Sequence, residues 1–140
     1  MKQVAILFAG VVGALLACAQ IAGAREVVIV VYGAIALMAL LISATFAWLW
    51  RLRATPLALG MSMSWAGTGL TLGWWWRVTG AQGLAPHSDT AVLLVFLSLL
   101  IAGAVLHFSV IQGTFGLRGV AFAVPVLGAL AVSLGVLLLV

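Results

Sequence analysis

The chain has 140 residues, of which 66% are apolar and only 6% are charged. A soluble domain carries about 25% charged residues, so this composition excludes an ordinary water-soluble fold. The net charge of +4 comes from scattered basic residues, which form no basic patch of the kind that binds nucleic acid. The composition therefore predicts an all-α membrane protein whose main partner is the lipid bilayer, with no nucleic-acid partner.

Charges and turn residues divide the chain into five apolar blocks, each long enough to cross a hydrocarbon core of about 30 Å as a helix. We predict a single polytopic membrane domain over residues 1–140. Its five transmembrane helices are expected at residues 4–21, 27–50, 57–76, 90–112 and 119–140. The polar stretch 77–89, which contains Gly and Pro, predicts the longest loop, on the outer side.

Basic residues near the span ends predict the orientation. One side carries four of them, Lys2, Arg51, Arg53 and Arg118, and the other side carries two, Arg25 and Arg77. Because Lys and Arg are retained on the cytoplasmic side, this distribution places the N-terminus in the cytoplasm and the C-terminus outside. The expected location is a bacterial-type inner (cytoplasmic) membrane, crossed several times.

The first span has a second interpretation. Lys2, the apolar run after it and the small residues 17–19 resemble a signal peptide, and residues 15–18 resemble a lipoprotein signal. In that case Cys18 would carry a lipid anchor. Otherwise Cys18 is a small apolar residue in a helix, and a single Cys excludes an internal disulfide.

Small residues predict where the helices touch, because in lipid helices pack where their backbones can approach closely. The third span has two opposite stripes of such residues at helical spacing. The first stripe contains Gly60, Ser64, Gly67, Thr68 and Thr71. The second stripe contains Ser62, Ala66, Gly69 and Gly73. A helix with two close-packing faces belongs in the middle of a bundle, so we predict that span three is central.

The other spans show fewer such residues. Span one has one face with Ala9, Gly13, Ala17 and Gln20, and span five has one with Ala121, Pro125, Gly128 and Gly135. Pro125 predicts a kink in span five. Span two is expected to face lipid more than the others. Ordinary packing explains all these stripes, and the alternative is that the Ser/Thr stripe of span three lines a polar pathway.

The ionisable groups that a coupled carrier needs are nearly absent from the spans. No Asp, Glu, Lys or Arg lies within a span, although ion-coupled carriers usually bind their ion at such a group. His107 in span four is the only candidate, either as a buried neutral side chain or as a proton relay. The candidate polar pathway therefore consists of His107, Ser64, Thr68, Thr71 and Gln20.

Catalytic, cofactor and metal sites are not indicated. The sequence has no nucleophile–base pair, no paired carboxylates and no phosphate-binding loop. His87 and His107 are separated by roughly 30 Å of mostly helical chain, so a haem could be shared only by copies of His107 in two chains. His87, Ser88 and Asp89 offer too few ligands for a closed zinc site. We predict no enzyme, no cofactor and no metal.

Five spans in about 140 residues, together with the apolar run 127–139, resemble one half of a drug/metabolite-type transporter and its last helix. The resemblance covers one helix, and it implies a small-solute or lipid transporter that works as a dimer. The membrane Glu expected in the first helix of the small multidrug members is absent here.

The sequence therefore predicts an accessory or structural subunit of a membrane assembly or homo-oligomer, which contacts other membrane subunits or itself through small-residue helix faces. The alternative is the dimeric small-solute or lipid transporter, and an enzyme acting on lipid headgroups through residues 77–89 is third. Cavity polarity discriminates the first two. A carrier needs a wet cleft lined by Ser and Thr, whereas an accessory subunit is packed dry.

Overall fold

A computed structural model describes residues 2–80, 90–112, 119 and 123–139. Five helices form in this part of the chain, α1 (Lys2–Ala22), α2 (Ala24–Arg53), α3 (Pro56–Gly80), α4 (Thr90–Ile111) and α5 (Val124–Leu139). The described residues contain no strand, so the predicted all-helical bundle is confirmed.

Three of these helices are long and apolar enough to cross a membrane. The apolar segments are Ala5–Ala22 in α1, Ala24–Arg53 in α2 and Ala91–Ile111 in α4. Helix α3 has 25 residues, but its glycines, hydroxyl residues and tryptophans make it less apolar than its length suggests. The apolar stretch of α5 is shorter than a span needs. Membrane association is thus supported, while five spans and their orientation stay predictions.

The helices extend into segments that were expected to be loops. Arg25 and Glu26 lie in the first turn of α2, where their side chains form an exposed ion pair of 3.7 Å. Arg51 and Arg53 lie in the last turn of the same helix, and Arg77 lies in the last turn of α3. An acidic residue at a helix N-terminus and basic residues at a C-terminus are favoured by the helix dipole, which explains these longer helices.

The kink predicted at Pro125 is wrong, whereas the predicted start of the fifth span at residue 119 borders residues 120–122, which lie outside the described residues. Helix α5 begins at Val124, so Pro125 lies in its first turn. A proline there lacks an N–H that would be unpaired in any case, and it does not interrupt the helix. Of the predicted outer loop, residues 77–80 belong to α3. Residues 81–89, with His87, Ser88 and Asp89, lie outside the described residues, as do residues 113–118 and Ala121.

Helix α3 lies between α2 and α4 and packs extensively against both. The second stripe of α3 faces α2, since a methyl group placed on Gly69 would lie 3.0 Å from the Ala36 carbonyl oxygen. The first stripe faces α4, since a methyl group on Gly60 would lie 2.9 Å from the His107 backbone nitrogen. The contacts therefore follow the two stripes that the sequence predicts for a central helix.

Helix α2 contributes more to this core than expected. Its buried residues are Gly33, Ala36, Ala39 and Ser43, which recur every three or four positions and form one face. The expectation that span two is the more lipid-facing helix is therefore wrong. The rest of α2 consists mostly of large side chains. The helix therefore has few small residues in total, although those few lie on one face.

Helices α1 and α5 lie outside the core. Every described side chain of α1 is exposed except Ala19, which is half-buried, and α1 makes few contacts with α2. Helix α5 touches α4 sparsely, and nearly all of its described side chains are exposed. The small residues of these two helices therefore have little to pack against within the described chain.

Two residues connect α2 to α3. Ala54 adopts the left-handed conformation (φ 48°, ψ 33°) and its N–H donates to the Trp50 carbonyl oxygen at 2.6 Å, which ends α2. Thr55 follows, and Pro56 occupies the first position of α3, where proline is favoured. The result is a tight antiparallel helical hairpin.

Candidate functional site

The predicted Ser/Thr stripe lies at the contact between α3 and α4. The two helices run antiparallel, with Gly60 beside His107, Ser64 beside Gly103, and Gly67 beside Leu100. A methyl group on Gly67 would lie 2.6 Å from the Leu100 backbone nitrogen. This distance is too short for any real side chain, so the two backbones are in direct contact. The contact leaves no cleft at the level of Gly67.

The hydroxyl groups of the stripe are directed to their own helix or are buried. Thr68 Oγ1 donates to the Ser64 carbonyl oxygen at 2.9 Å, one turn earlier in α3. Thr71 Oγ1 is buried and has no hydrogen-bond partner among the described residues. The linings of the cavity beside His107 and of the cavity beside Trp74 and Trp76 include none of Ser64, Thr68 and Thr71. The stripe therefore resembles a packing surface more than a pathway.

His107 lies at one end of this contact and is half-buried. Its ring meets Phe108 edge to face, with centroids 5.6 Å apart. The Nδ1 atom is buried and lacks a hydrogen-bond partner in the described part of the chain. Gln20, by contrast, is exposed on α1 and belongs to a helix that packs sparsely, mainly on α2. The structure thus places His107 beside Gly60, about one helical turn along α3 from Ser64, and leaves Gln20 outside this group.

A cavity of about 550 Å³, here called the His107 cavity, opens where α2 ends and α3 begins. Apolar side chains form most of its wall. Its lining includes Phe46 and Leu49 of α2, residues 55–58 and Met61 at the start of α3, and His107 and Val110 of α4. The imidazole and the Thr55 hydroxyl are therefore the polar side chains in an otherwise apolar wall.

A second cavity, of about 430 Å³, lies towards the other end of the same three helices and is here called the Trp cavity. Its lining includes Gly33, Gly69, Gly73, Trp74, Trp76 and Phe96. The Trp74 Nε1 atom is buried and has no hydrogen-bond partner among the described residues. The sequence did not predict this cavity, whose lining includes Gly33 of α2 and both Gly69 and Gly73 of α3.

Sequence reasoning also missed a polar contact between α2 and α3. Ser43 Oγ donates to the Ser62 carbonyl oxygen at 2.8 Å, and Ser62 Oγ donates to the Ser43 carbonyl oxygen at 3.1 Å. Both serines are buried. Ser62 belongs to the predicted second stripe, but nothing in the sequence of α2 distinguishes Ser43 from a lipid-facing serine. The pair fixes the register of the two helices and has no exposed reactive group.

Metal-binding residues do not cluster in the described part of the chain, where no group of three His, Cys, Asp or Glu side chains comes together. The candidate loop residues His87 and Asp89 lie outside that part. Cys18 carries an exposed, free thiol on α1. Its interpretation as a lipid anchor stays a prediction.

In comparisons with known proteins, no family model, no curated protein and no solved structure matches the chain.

Proposed function

We propose that this chain is a multi-pass membrane subunit without a catalytic centre, which assembles with other membrane subunits or with copies of itself. The five spans, the cytoplasmic N-terminus and the inner-membrane location belong to the same proposal. Small-residue faces on α1 and α5 would form the contacts with partners. The role is structural, in the sense that the chain supports or completes a larger assembly.

The closed contact between α3 and α4 is the observation that carries this proposal. A carrier needs a polar cleft that reaches the middle of the membrane, where its substrate is bound and released. Ser64 and Thr68 are the side chains best suited to line such a cleft. Ser64 instead packs directly on Gly103, and Thr68 donates to its own helix. Dry packing at this position favours an accessory subunit.

The terminal helices support the same proposal. A methyl group placed on Gly13 of α1, or on Gly128 or Gly135 of α5, would have no described atom within 4 Å. In a membrane, small residues on one helix face favour close contact with another helix. Within the described chain these faces are uncovered, so partner subunits are the natural candidates to cover them.

Native mass spectrometry after gentle extraction from the native membrane tests the proposal. We expect a complex with partner subunits or a homo-oligomer. Gly13→Leu should reduce that complex, because the larger side chain holds a partner helix away. Val11→Leu is the matched control, since Val11 is exposed on another face of α1. A lone monomer in gentle detergent, with no stable partner, would contradict the proposal.

The second candidate is a small-solute or lipid carrier that works as a dimer. It is favoured by the two cavities, whose linings include Trp74 and His107 respectively. Solute uptake by proteoliposomes tests it. Gly73→Leu should abolish uptake by filling the Trp cavity, because a methyl group there would meet only Ala36, at 3.9 Å. Uptake unchanged by His107→Ala and Thr68→Val would remove those residues from the mechanism.

A further inference from the structure

The Trp cavity has a charged end and an apolar end. Its volume of about 430 Å³ falls in the range of about 300–1,000 Å³ that is typical of small-molecule sites. Helices α2 and α3 run antiparallel beside it, with Gly33 against Trp76 and Leu40 against Gly69. Arg77 lines the cavity next to Trp76, about 12 Å along α3 from Gly69. The lining therefore carries a positive charge at one end and only apolar groups at the other.

The charged end of the cavity favours an anion. The sequence contains no Asp or Glu in residues 33–40, 69–77 or 92–96, which supply the described lining, so no acidic side chain from these segments opposes Arg77. Arg77 already interacts with another group of the protein. A guanidinium has five N–H donors in a fork that fits a phosphate, so it can hold an anionic group as well.

The rest of the cavity favours a hydrocarbon chain. Apart from Arg77, the described lining consists of Gly, Ala, Leu, Val, Phe and Trp residues. The cavity opens at the protein surface, because Leu37 and Val92 belong to the lining and are both exposed. In a bilayer, such an opening faces lipid chains rather than water. An acyl chain that enters it would cover apolar surface along about two turns of α3.

Two tryptophans indicate that the charged end lies at the membrane surface. Trp75 and Trp76 directly precede Arg77, and both are exposed. Tryptophan prefers the headgroup level of a bilayer, because its ring is apolar while its N–H needs a polar partner. Arg77 would then lie among lipid headgroups, and Leu40 would lie deeper in the hydrocarbon. The two ends of the cavity thus match the two parts of a lipid molecule.

We propose that the Trp cavity binds an anionic phospholipid. One acyl chain occupies the apolar part, and the phosphate contacts the Arg77 guanidinium. The occupant is a lipid rather than a soluble anion, because a soluble anion would leave the apolar part uncovered. It carries a net negative charge, because a zwitterionic headgroup brings its own cation close to Arg77. The site is independent of the accessory-subunit function, since its lining residues belong to one chain.

Native mass spectrometry of the full-length protein with added lipid tests the headgroup. The two probes are phosphatidylglycerol and phosphatidylcholine with identical acyl chains. We expect phosphatidylglycerol to bind about fivefold more tightly, which is the effect of one basic residue near an anionic lipid. Arg77→Gln should remove this preference without weakening the binding of phosphatidylcholine. Arg77→Lys should restore most of the preference, because the positive charge returns.

Arg25→Gln is the matched control for Arg77→Gln. Arg25 is an exposed arginine at the same end of the helical hairpin, and it does not line the cavity. A general attraction between the protein and anionic lipid would weaken in both variants. We expect the preference for phosphatidylglycerol to change less than about twofold in Arg25→Gln. Equal effects of the two variants, or equal binding of the two lipids to the unchanged protein, would overturn the proposal.

Gly73→Leu and Val92→Trp test the acyl chain. A methyl group on Gly73 would meet only Ala36, at 3.9 Å, so a leucine there extends into the cavity without displacing a helix. Leu94→Trp is the control for Val92→Trp, because Leu94 is also exposed on α4 but does not line the cavity.

Both cavity variants should abolish the adducts of both lipids, whereas Leu94→Trp should leave them unchanged. Adducts that survive Gly73→Leu and Val92→Trp would contradict the proposed site. Lipid adducts are counted separately for monomers and oligomers, so failure of the assembly proposal is read independently.

Discussion

Gly67 and Gly13 are both helical glycines among apolar neighbours, yet their surroundings differ. A methyl group on Gly67 of α3 would collide with the backbone of α4, whereas one on Gly13 of α1 would meet no described atom. The same difference separates the three central helices from the two terminal ones. Small residues mark a helix face that permits close approach, but they do not say whether the neighbouring helix belongs to the same chain.

Gly67→Ala should destabilise the protein more than any other substitution proposed for the helix contacts. The added methyl group would lie 2.8 Å from Leu100 Cα, so α3 and α4 must move apart. Overpacking of this kind costs about 1–3 kcal/mol of the free energy of unfolding. We expect Gly13→Ala to change the unfolding free energy of the monomer by less than about 0.5 kcal/mol. Unfolding by sodium dodecyl sulfate in mixed micelles, followed by circular dichroism, measures both, and similar losses would refute the division into central and terminal helices.

A smaller loss is expected when the contact between α2 and α3 loses its hydroxyl groups. Interhelical hydrogen bonds in membranes contribute about 0.6 kcal/mol on average and up to about 1.7 kcal/mol. Ser43→Ala and Ser62→Ala should each lie in this range, and a double-mutant cycle should show favourable coupling between them. Ser98→Ala is the control, because Ser98 is exposed and bonds within its own helix. Additive effects of the two serine variants would show that the hydrogen bonds act independently.

Gly33→Ala differs from Gly67→Ala in that the added methyl group would meet a side chain rather than a backbone. A methyl group on Gly33 would lie 2.8 Å from Cε2 of Trp76, and the Trp76 side chain is 45% exposed. The indole can rotate away at a cost of about 0.5–1.5 kcal/mol for a strained rotamer. We expect a loss of at most that size, together with a shift in tryptophan fluorescence. A loss as large as that of Gly67→Ala would mean that Trp76 is held rigidly.

The smallest effect is expected for Glu26→Gln. The ion pair between Arg25 and Glu26 spans 3.7 Å with both side chains 62% exposed. Exposed ion pairs contribute between about 0 and 1 kcal/mol, so we expect a change below about 0.5 kcal/mol. Thermal unfolding at low and high salt measures it. A large, salt-sensitive loss would indicate that this junction between α1 and α2 contributes more to stability than its contacts suggest.

The sequence predicted the helical class and the two faces of α3 because glycine and serine at helical spacing indicate close packing directly. It failed for α2, where Ala36 and Ala39 look the same as alanines that face lipid. The charged residues Arg51, Arg53 and Arg77 were taken to lie beyond the ends of their spans, so the predicted spans end several residues before α2 and α3 do. Charged residues can also complete the last turn of a helix. Pro125 was assigned to a helix interior since the start of α5 has no clear signal.

The candidate site was predicted only in part. His107 was identified because an ionisable side chain in an apolar span is conspicuous, and it lines a cavity. The cavities themselves could not be predicted, since each depends on residues from three helices whose register is set by contacts such as Ser43 with Ser62.

The two-residue connection at Ala54 and Thr55 has a consequence for biosynthesis. Helices α2 and α3 follow each other in the chain, so the residues that they bring together are separated by 19 positions at Ser43 and Ser62 and by 43 positions at Gly33 and Trp76. Contacts of this kind form quickly because little chain entropy is lost in closing the loop. The hairpin can therefore pair while the ribosome is still adding α4. Helix α4 would then pack against a hairpin that has already formed, at the surface that contains Gly60 and Gly67.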